Sequence, residues 1–259
     1  MKDNWVRNKL RNGEAALGLH VGLGSPNVAE LLAHSGFDWL AFETEHSAVD
    51  SAQLEHMLMA VNGTRTIPLV RPSVGVPHEI QKALDAGAMG IFVPMVRTAA
   101  EAEAIVKSTR YPPEGTRGFG PLRASNYTMD YPDYFARAND NMLVTFILET
   151  KEALENLEEI MSVPGVDALY FGLFDLCLSM GLNPMDLPLP RIEEEIERAA
   201  EISRKTGVAV GIGAGTLEDL NKRLDQGLRF MTYGTDYSQL AAAVRPGIEA
   251  FRERFPSAG

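Results

Sequence analysis

Glu43, Glu45 and His46 stand together in DWLAFETEHS, residues 38–47, directly after an apolar run. An unpaired ion taken out of water costs several kcal/mol or more, so charges at the end of a buried strand belong at its mouth. The pattern recurs along the chain: Arg71 follows IPLV, Glu149 closes LVTFILE, and Asp175 comes shortly after ALYFG. Histidine suits proton transfer near neutral pH. The planar fork of arginine fits a carboxylate or an enolate oxygen. Two carboxylates such as Glu149 and Asp175, without accompanying cysteines or paired histidines, suit a hard cation such as Mg²⁺ or Mn²⁺ better than zinc. Each group also has a plainer use. Glu149 and Asp175 would serve as helix caps, and Arg71 as the salt-bridge partner of Glu43 or Glu45. His46 is the one histidine placed after a strand end with carboxylates nearby; His20 lies within the first strand, and His34, His56 and His78 fall on helices or their starts.

The elements that must position these groups are apolar runs alternating with stretches of helical period. The runs are AALGLHV (15–21), WLAFET (39–44), IPLVRP (67–72), GIFVPM (90–95), LVTFILE (143–149), ALYFG (168–172), VAVGIGA (208–214) and FMTYGTD (230–236). Helices are expected over 27–35, 51–62, 77–86, 98–109, 152–162, 190–206, 217–226 and 237–254. Near-continuous apolar strands, each followed by a helix, imply a parallel sheet covered by helices, and eight such units close a barrel. The expected fold is therefore an α/β (β/α)8 TIM barrel, one domain over 1–259. In that fold the ends of the strands converge on one mouth, and Glu149 and Asp175 on neighbouring strands would meet around one ion. A doubly wound sheet would show a glycine-rich phosphate turn, which Gly18, Gly22 and Gly24 do not supply. The stretch from Tyr111 to about Asn141 is too long for an ordinary connection and reads as functional, partner-contacting, or a packed surface excursion.

The 259 residues carry a formal net charge of −11, with 45% hydrophobic and 23% charged residues, which excludes disorder and argues against nucleic-acid or anionic-lipid partners. No apolar run approaches a membrane span and the N-terminus lacks a cleavable apolar core, so a cytoplasmic protein is expected. The single cysteine, Cys177, reads as a small buried residue.

With these residues located, the chain resembles the HpcH/HpaI aldolase family of metal-dependent class II pyruvate aldolases, which have a phosphoenolpyruvate/pyruvate-type barrel. The motifs that carry the resemblance are FDWLAFETEHS, PLVRP, ALDAGAMGIFVPMV, AEAEAIVKSTRYPPEGTRGFG, ILET and FGLFDL, and the match spans nearly the whole chain. The resemblance implies reversible cleavage of a 4-hydroxy-2-oxo acid into pyruvate, or a related 2-oxo acid, and an aldehyde. It implies that Glu149 and Asp175 hold a divalent cation (Mg²⁺, Mn²⁺ or Co²⁺) and that His46 is the acid/base with Asp85 as its partner. It further implies that Arg71 steadies the keto oxygen as it becomes an enolate, and that Gly172, Leu173 and Phe174 contact the substrate carboxylate. It also implies a hexamer, a trimer of dimers, with a terminal helix exchanged between neighbours. Three departures stand out: Glu43 where an aspartate is frequent, Ile147 for a glutamine, and GLFD for GPSD or GPAD, which makes the mouth bulkier and more apolar. Arg117 and Arg123 in the long stretch could receive an extra carboxylate or phosphate, which would fit a citrate-synthase-like or malyl-CoA-lyase-like reaction on oxaloacetate or an acyl-CoA ester. A non-catalytic oxoacid-binding barrel is the remaining reading.

Overall fold

The computed structural model describes residues 1–255. Eight strands, β1 (Ala16–Val21), β2 (Trp39–Glu43), β3 (Ile67–Arg71), β4 (Gly90–Val93), β5 (Leu143–Leu148), β6 (Ala168–Phe171), β7 (Ala209–Ala214) and β8 (Phe230–Thr235), form a closed barrel in sequence order. Neighbouring strands pair in parallel all the way round, and β8 returns to β1. The expected (β/α)8 barrel is therefore the observed fold.

Side chains in a strand alternate between the two faces, and the alternation is plain here. Ala16, Trp39, Ala41, Ile67, Leu69, Phe92, Leu143, Ile147, Ala168, Tyr170, Ala209 and Phe230 pack together inside the barrel. The residues between them, such as Leu40, Phe42, Val70, Val144 and Leu169, form the larger core beneath the helices. Trp39 fills the interior by stacking on Phe230, with ring centroids 4.2 Å apart. Gly18 of β1 makes this possible, since a Cβ there would lie 2.2 Å from the indole.

Three helices lie outside the expected ones. Trp5–Arg11 closes the far end of the barrel, inserting Val6 and Leu10 into the inner core while Arg7 pairs with the buried Asp167 at 2.9 Å. It is too short to show a period in sequence. Leu173–Ser179 begins directly from Gly172, which places Asp175 in its first turn. Tyr131–Asn141 lies inside the long stretch from Tyr111 to about Asn141, where no helix is expected; Pro132 sits in its first turn, and Tyr134 and Ala138 supply its buried stripe. The helix expected over 152–162 is two pieces, Lys151–Glu155 and Leu157–Met161, parted at Asn156, whose side chain donates to the Arg97 carbonyl at 2.9 Å. Cys177 is buried, in keeping with a packing role. Among the described residues no helix is long and apolar enough to cross a membrane.

Candidate active site

The register of β2 against β3 sets Glu43 beside Arg71. Both are inward positions, two residues beyond Ala41 and Leu69, so the alternation that packs the interior also turns these ionic groups into the mouth. Arg71 Nη1 lies 3.1 Å from Glu43 Oε2, and Nη2 meets the Glu45 carboxylate and stands 3.6 Å from Glu149 Oε2. Its Nε–H is buried without a protein partner. The other oxygen of Glu43 accepts from the backbone N–H groups of Glu45 and His46 at 2.7 and 3.1 Å, which ties down the turn after β2. Thr44 reinforces it by donating both its N–H and its hydroxyl to the Arg71 carbonyl. His46 Nε2 then lies 3.4 Å from Glu45 Oε2, with its side chain 62% exposed at the open rim. The salt-bridge use of Arg71 is thus present, but one guanidinium is shared among three carboxylates.

Glu149 continues the inward alternation of β5 past Ile147 and is 3% exposed. Its Oε1 accepts from the Met95 N–H at 2.6 Å. Met95 holds a φ of +59°, a conformation uncommon outside glycine, and the left-handed turn presents that N–H to the carboxylate. Burial raises the Glu149 pKa; Met95 and Arg71 oppose the rise, and the nearby Glu45 and Asp175 charges add to it. Glu45 is raised as well, chiefly by burial, against the pull of Arg71 and His46. Asp175 is exposed in the same cavity and makes no ion pair or hydrogen bond among the described residues.

These facts fit a cation. Glu43, Glu45 and Glu149 gather around Arg71, the fixed positive charge they share among the described residues, Asp175 adds its charge against Glu45 and Glu149, and mutual repulsion among these carboxylates is what a dication would relieve. Gly172 keeps open the space beside Glu149, because a Cβ there would lie 3.1 Å from Oε2. No cluster of three or more acidic, histidine or cysteine ligands occurs among the described residues.

Around these groups lies a cavity of about 490 Å³, of a size for a small molecule. His46, Arg71, Glu149, Gly172, Leu173, Phe174 and Asp175 all line it, so the structure brings these sequence-derived candidates together. Phe174 is exposed at the rim. Asp85 and Arg123 are not among them. Asp85, the last residue of the helix Pro77–Asp85, accepts from Arg117 Nη2 at 2.7 Å, and no bond joins it to His46 within the chain. The reason is electrostatic: the Arg117 guanidinium, wedged over Tyr111 and hydrogen-bonded to Tyr134, is buried and requires an anion. Arg123 donates to the Ala86 carbonyl at 2.6 Å, outside the mouth. The long stretch is thus packed against the Pro77–Asp85 helix. Sequence reasoning missed His20, Phe92 and Tyr170, which line the cavity. Inward alternation could have found them, since His20 follows Ala16 and Gly18 at steps of two.

The family model described as HpcH/HpaI aldolase/citrate lyase matches residues 16–243. A 4-hydroxy-2-oxo-heptane-1,7-dioate aldolase of Klebsiella pneumoniae is 39% identical over 257 residues, covering 98% of this chain and 94% of that protein. A hydroxypyruvate/pyruvate aldolase of Roseovarius nubinhibens is 36% identical over 251 residues, covering 96% of this chain and 97% of its own. Among solved structures, an HpcH/HpaI aldolase/citrate lyase family protein from Burkholderia cenocepacia superposes with a TM-score of 0.91 at 34% identity, covering 96% of this chain and 99% of that one.

Proposed function

The chain belongs to the HpcH/HpaI aldolase/citrate lyase family, and on that premise we propose that it is a divalent-cation-dependent carbon–carbon lyase. It cleaves a 4-hydroxy-2-oxo acid reversibly into pyruvate, or a related 2-oxo acid, and an aldehyde. The observation that carries this reading is the shared Arg71 guanidinium beside the buried Glu149 carboxylate, at the mouth of a cavity of small-molecule size.

Glu149 and Asp175 would hold the cation, Mg²⁺ or Mn²⁺ by the hardness of their oxygens. When bound, such an ion supplies fixed positive charge against the carboxylate and keto oxygen of a 2-oxo acid. The chain's own residues do the rest. Arg71, already desolvated and with its Nε–H unpaired, stabilises negative charge as the keto oxygen becomes an enolate oxygen. His46 at the rim removes the proton of the 4-hydroxyl, directly or through a water, as the C3–C4 bond breaks. The electron pair of that bond becomes the C2–C3 enolate, C4 leaves as the aldehyde carbon, and a proton returned to C3 completes pyruvate. Glu43 and Glu45 orient His46 and Arg71. The first-turn N–H groups of Leu173 and Phe174 lack acceptors within their helix and suit the substrate carboxylate. Asp85 and Arg123 have no part in these steps within one chain. With Arg117 and Arg123 spent elsewhere, the feature that motivated an acyl-CoA or oxaloacetate substrate lies outside the mouth.

The assembly is proposed as a homo-oligomer, a hexamer in which the helix Asp236–Arg254 packs on a neighbour.

The test of the catalytic reading is pyruvate release from a 4-hydroxy-2-oxo acid, followed by a coupled reductase assay. Exhaustive chelation should abolish it, added Mg²⁺ or Mn²⁺ should restore it, and Glu149→Ala should be inactive with either ion. Release that survives both chelation and Glu149→Ala would overturn the reading.

A further inference from the structure

We infer that His20 is a specificity-determining residue whose imidazole hydrogen-bonds an aliphatic hydroxyl on the substrate's carbon chain, so that this barrel prefers hydroxylated substrates. The inference rests on the aldolase reading above and names the substrate class for the same site.

His20 stands on β1 at the floor of the cavity, facing inward with Ala16 and Gly18. Three aromatic rings hold it edge-on: Phe92 at 5.0 Å, Tyr170 at 5.7 Å and Trp39 at 6.2 Å between centroids. Such contacts restrict the orientation of the imidazole. Neither nitrogen has a hydrogen-bond partner among the described residues. The polar groups around it are already committed: the Tyr170 hydroxyl to Thr232 Oγ1 at 2.5 Å, and Glu43 to Arg71 and two backbone amides. Gly213 leaves space over that floor, since a Cβ there would lie 3.0 Å from the Tyr170 hydroxyl.

The charge state narrows the ligand. Burial in this apolar box lowers the His20 pKa to about 4, Glu43 opposing and Arg71 assisting, so the ring is neutral at physiological pH. A neutral imidazole presents one donor and one acceptor. A hydroxyl also gives and takes one hydrogen bond, whereas a carboxylate would be better served by the charge of Arg71. Phe92 and Ile147 offer nothing polar nearby, so a substrate without a hydroxyl would displace water and leave the imidazole unpaired.

The hydroxyl can belong to the 2-oxo acid donor or to the aldehyde, and two assay arms separate these sources. With the full-length protein loaded with Mn²⁺, hydroxypyruvate is compared with pyruvate at fixed acetaldehyde, and glycolaldehyde with acetaldehyde at fixed pyruvate. In one arm kcat/KM should favour the hydroxylated partner by about tenfold. His20→Phe should bring that ratio close to one, and His20→Gln, which keeps a donor and an acceptor, should retain part of it. Circular dichroism establishes that each variant is folded. Ratios near one in both arms for the unmodified protein, or a ratio unchanged in His20→Phe, would overturn the inference. Calorimetric binding of the two 2-oxo acids with Mn²⁺ present keeps the inference apart from the aldolase reading. A hydroxypyruvate preference that His20→Phe removes, without carbon–carbon bond formation in any pairing, supports the inference and sinks the reading; turnover without any hydroxyl preference does the reverse.

Discussion

Arg71 and His20 show two ways in which a single side chain is set by its surroundings. Arg71 sits at a strand end, where charge in a buried run signals a mouth, and with Glu43, His46 and Glu149 it was legible from position alone. His20 lies mid-run, where histidine reads as packing; its step of two from Ala16 and Gly18 marks an inward side, and the barrel's closure decides that this side opens on the cavity. Its environment predicts a pH signature in stability. In the unfolded chain His20 titrates near 6.5 and in the folded protein at about 4. Between those values the unfolded state binds the extra proton, so stability falls as pH drops from 6.5 to 4 and this contribution then levels off. The window corresponds to about 3 kcal/mol at most. Urea denaturation of His20→Phe should lack that slope relative to the unmodified protein; parallel pH profiles would refute the assignment.

At the scale of elements, the strands were legible because their runs of branched and aromatic residues are buried on both faces. The expected strands agree with β1–β8 to within one or two residues at each end. The helices Trp5–Arg11 and Tyr131–Asn141 were not legible, since one is short and the other is crowded with proline and aromatics. Strand β1 also depends on a contact that no local pattern announces, that of Gly18 with the Trp39 indole. Gly18→Ala would force a methyl into that ring inside a closed barrel, where neither backbone can retreat. Overpacking of this kind costs about 1–3 kcal/mol or more, and a denaturant midpoint lowered accordingly is expected. An unchanged midpoint would mean that β1 and β2 can separate enough to admit the methyl.

For the molecule as a whole, the helix Asp236–Arg254 is the part that the barrel does not explain. It is exposed from Leu240 to its end, yet Tyr237, Leu240, Val244, Ile248 and Phe251 recur at steps of three and four along one side. A stripe of that kind is ordinarily buried, and a neighbouring copy is the proposed cover. Light scattering should give a hexamer for the unmodified protein, and Leu240→Asp combined with Ile248→Asp should give a smaller species that is still folded. A monomer in the unmodified protein would refute the proposed assembly.

The amino-acid sequence by itself determined the barrel and the ring of ionic residues at its mouth, because hydrophobic period and the cost of burying charge act over a few neighbouring residues. Asp85 became a candidate only through the family resemblance, its own place in the chain being the end of a helix, and Arg123 because a guanidinium suits an anion. Tertiary structure alone decided which candidates share a cavity. Asp85 is drawn to Arg117 by a charge thirty-two positions away, and Arg123 to the Ala86 carbonyl. His20 enters the site because closing the sheet converts a period of two into an inside and an outside. Such outcomes depend on distances through space, which the order of residues along the chain does not encode locally.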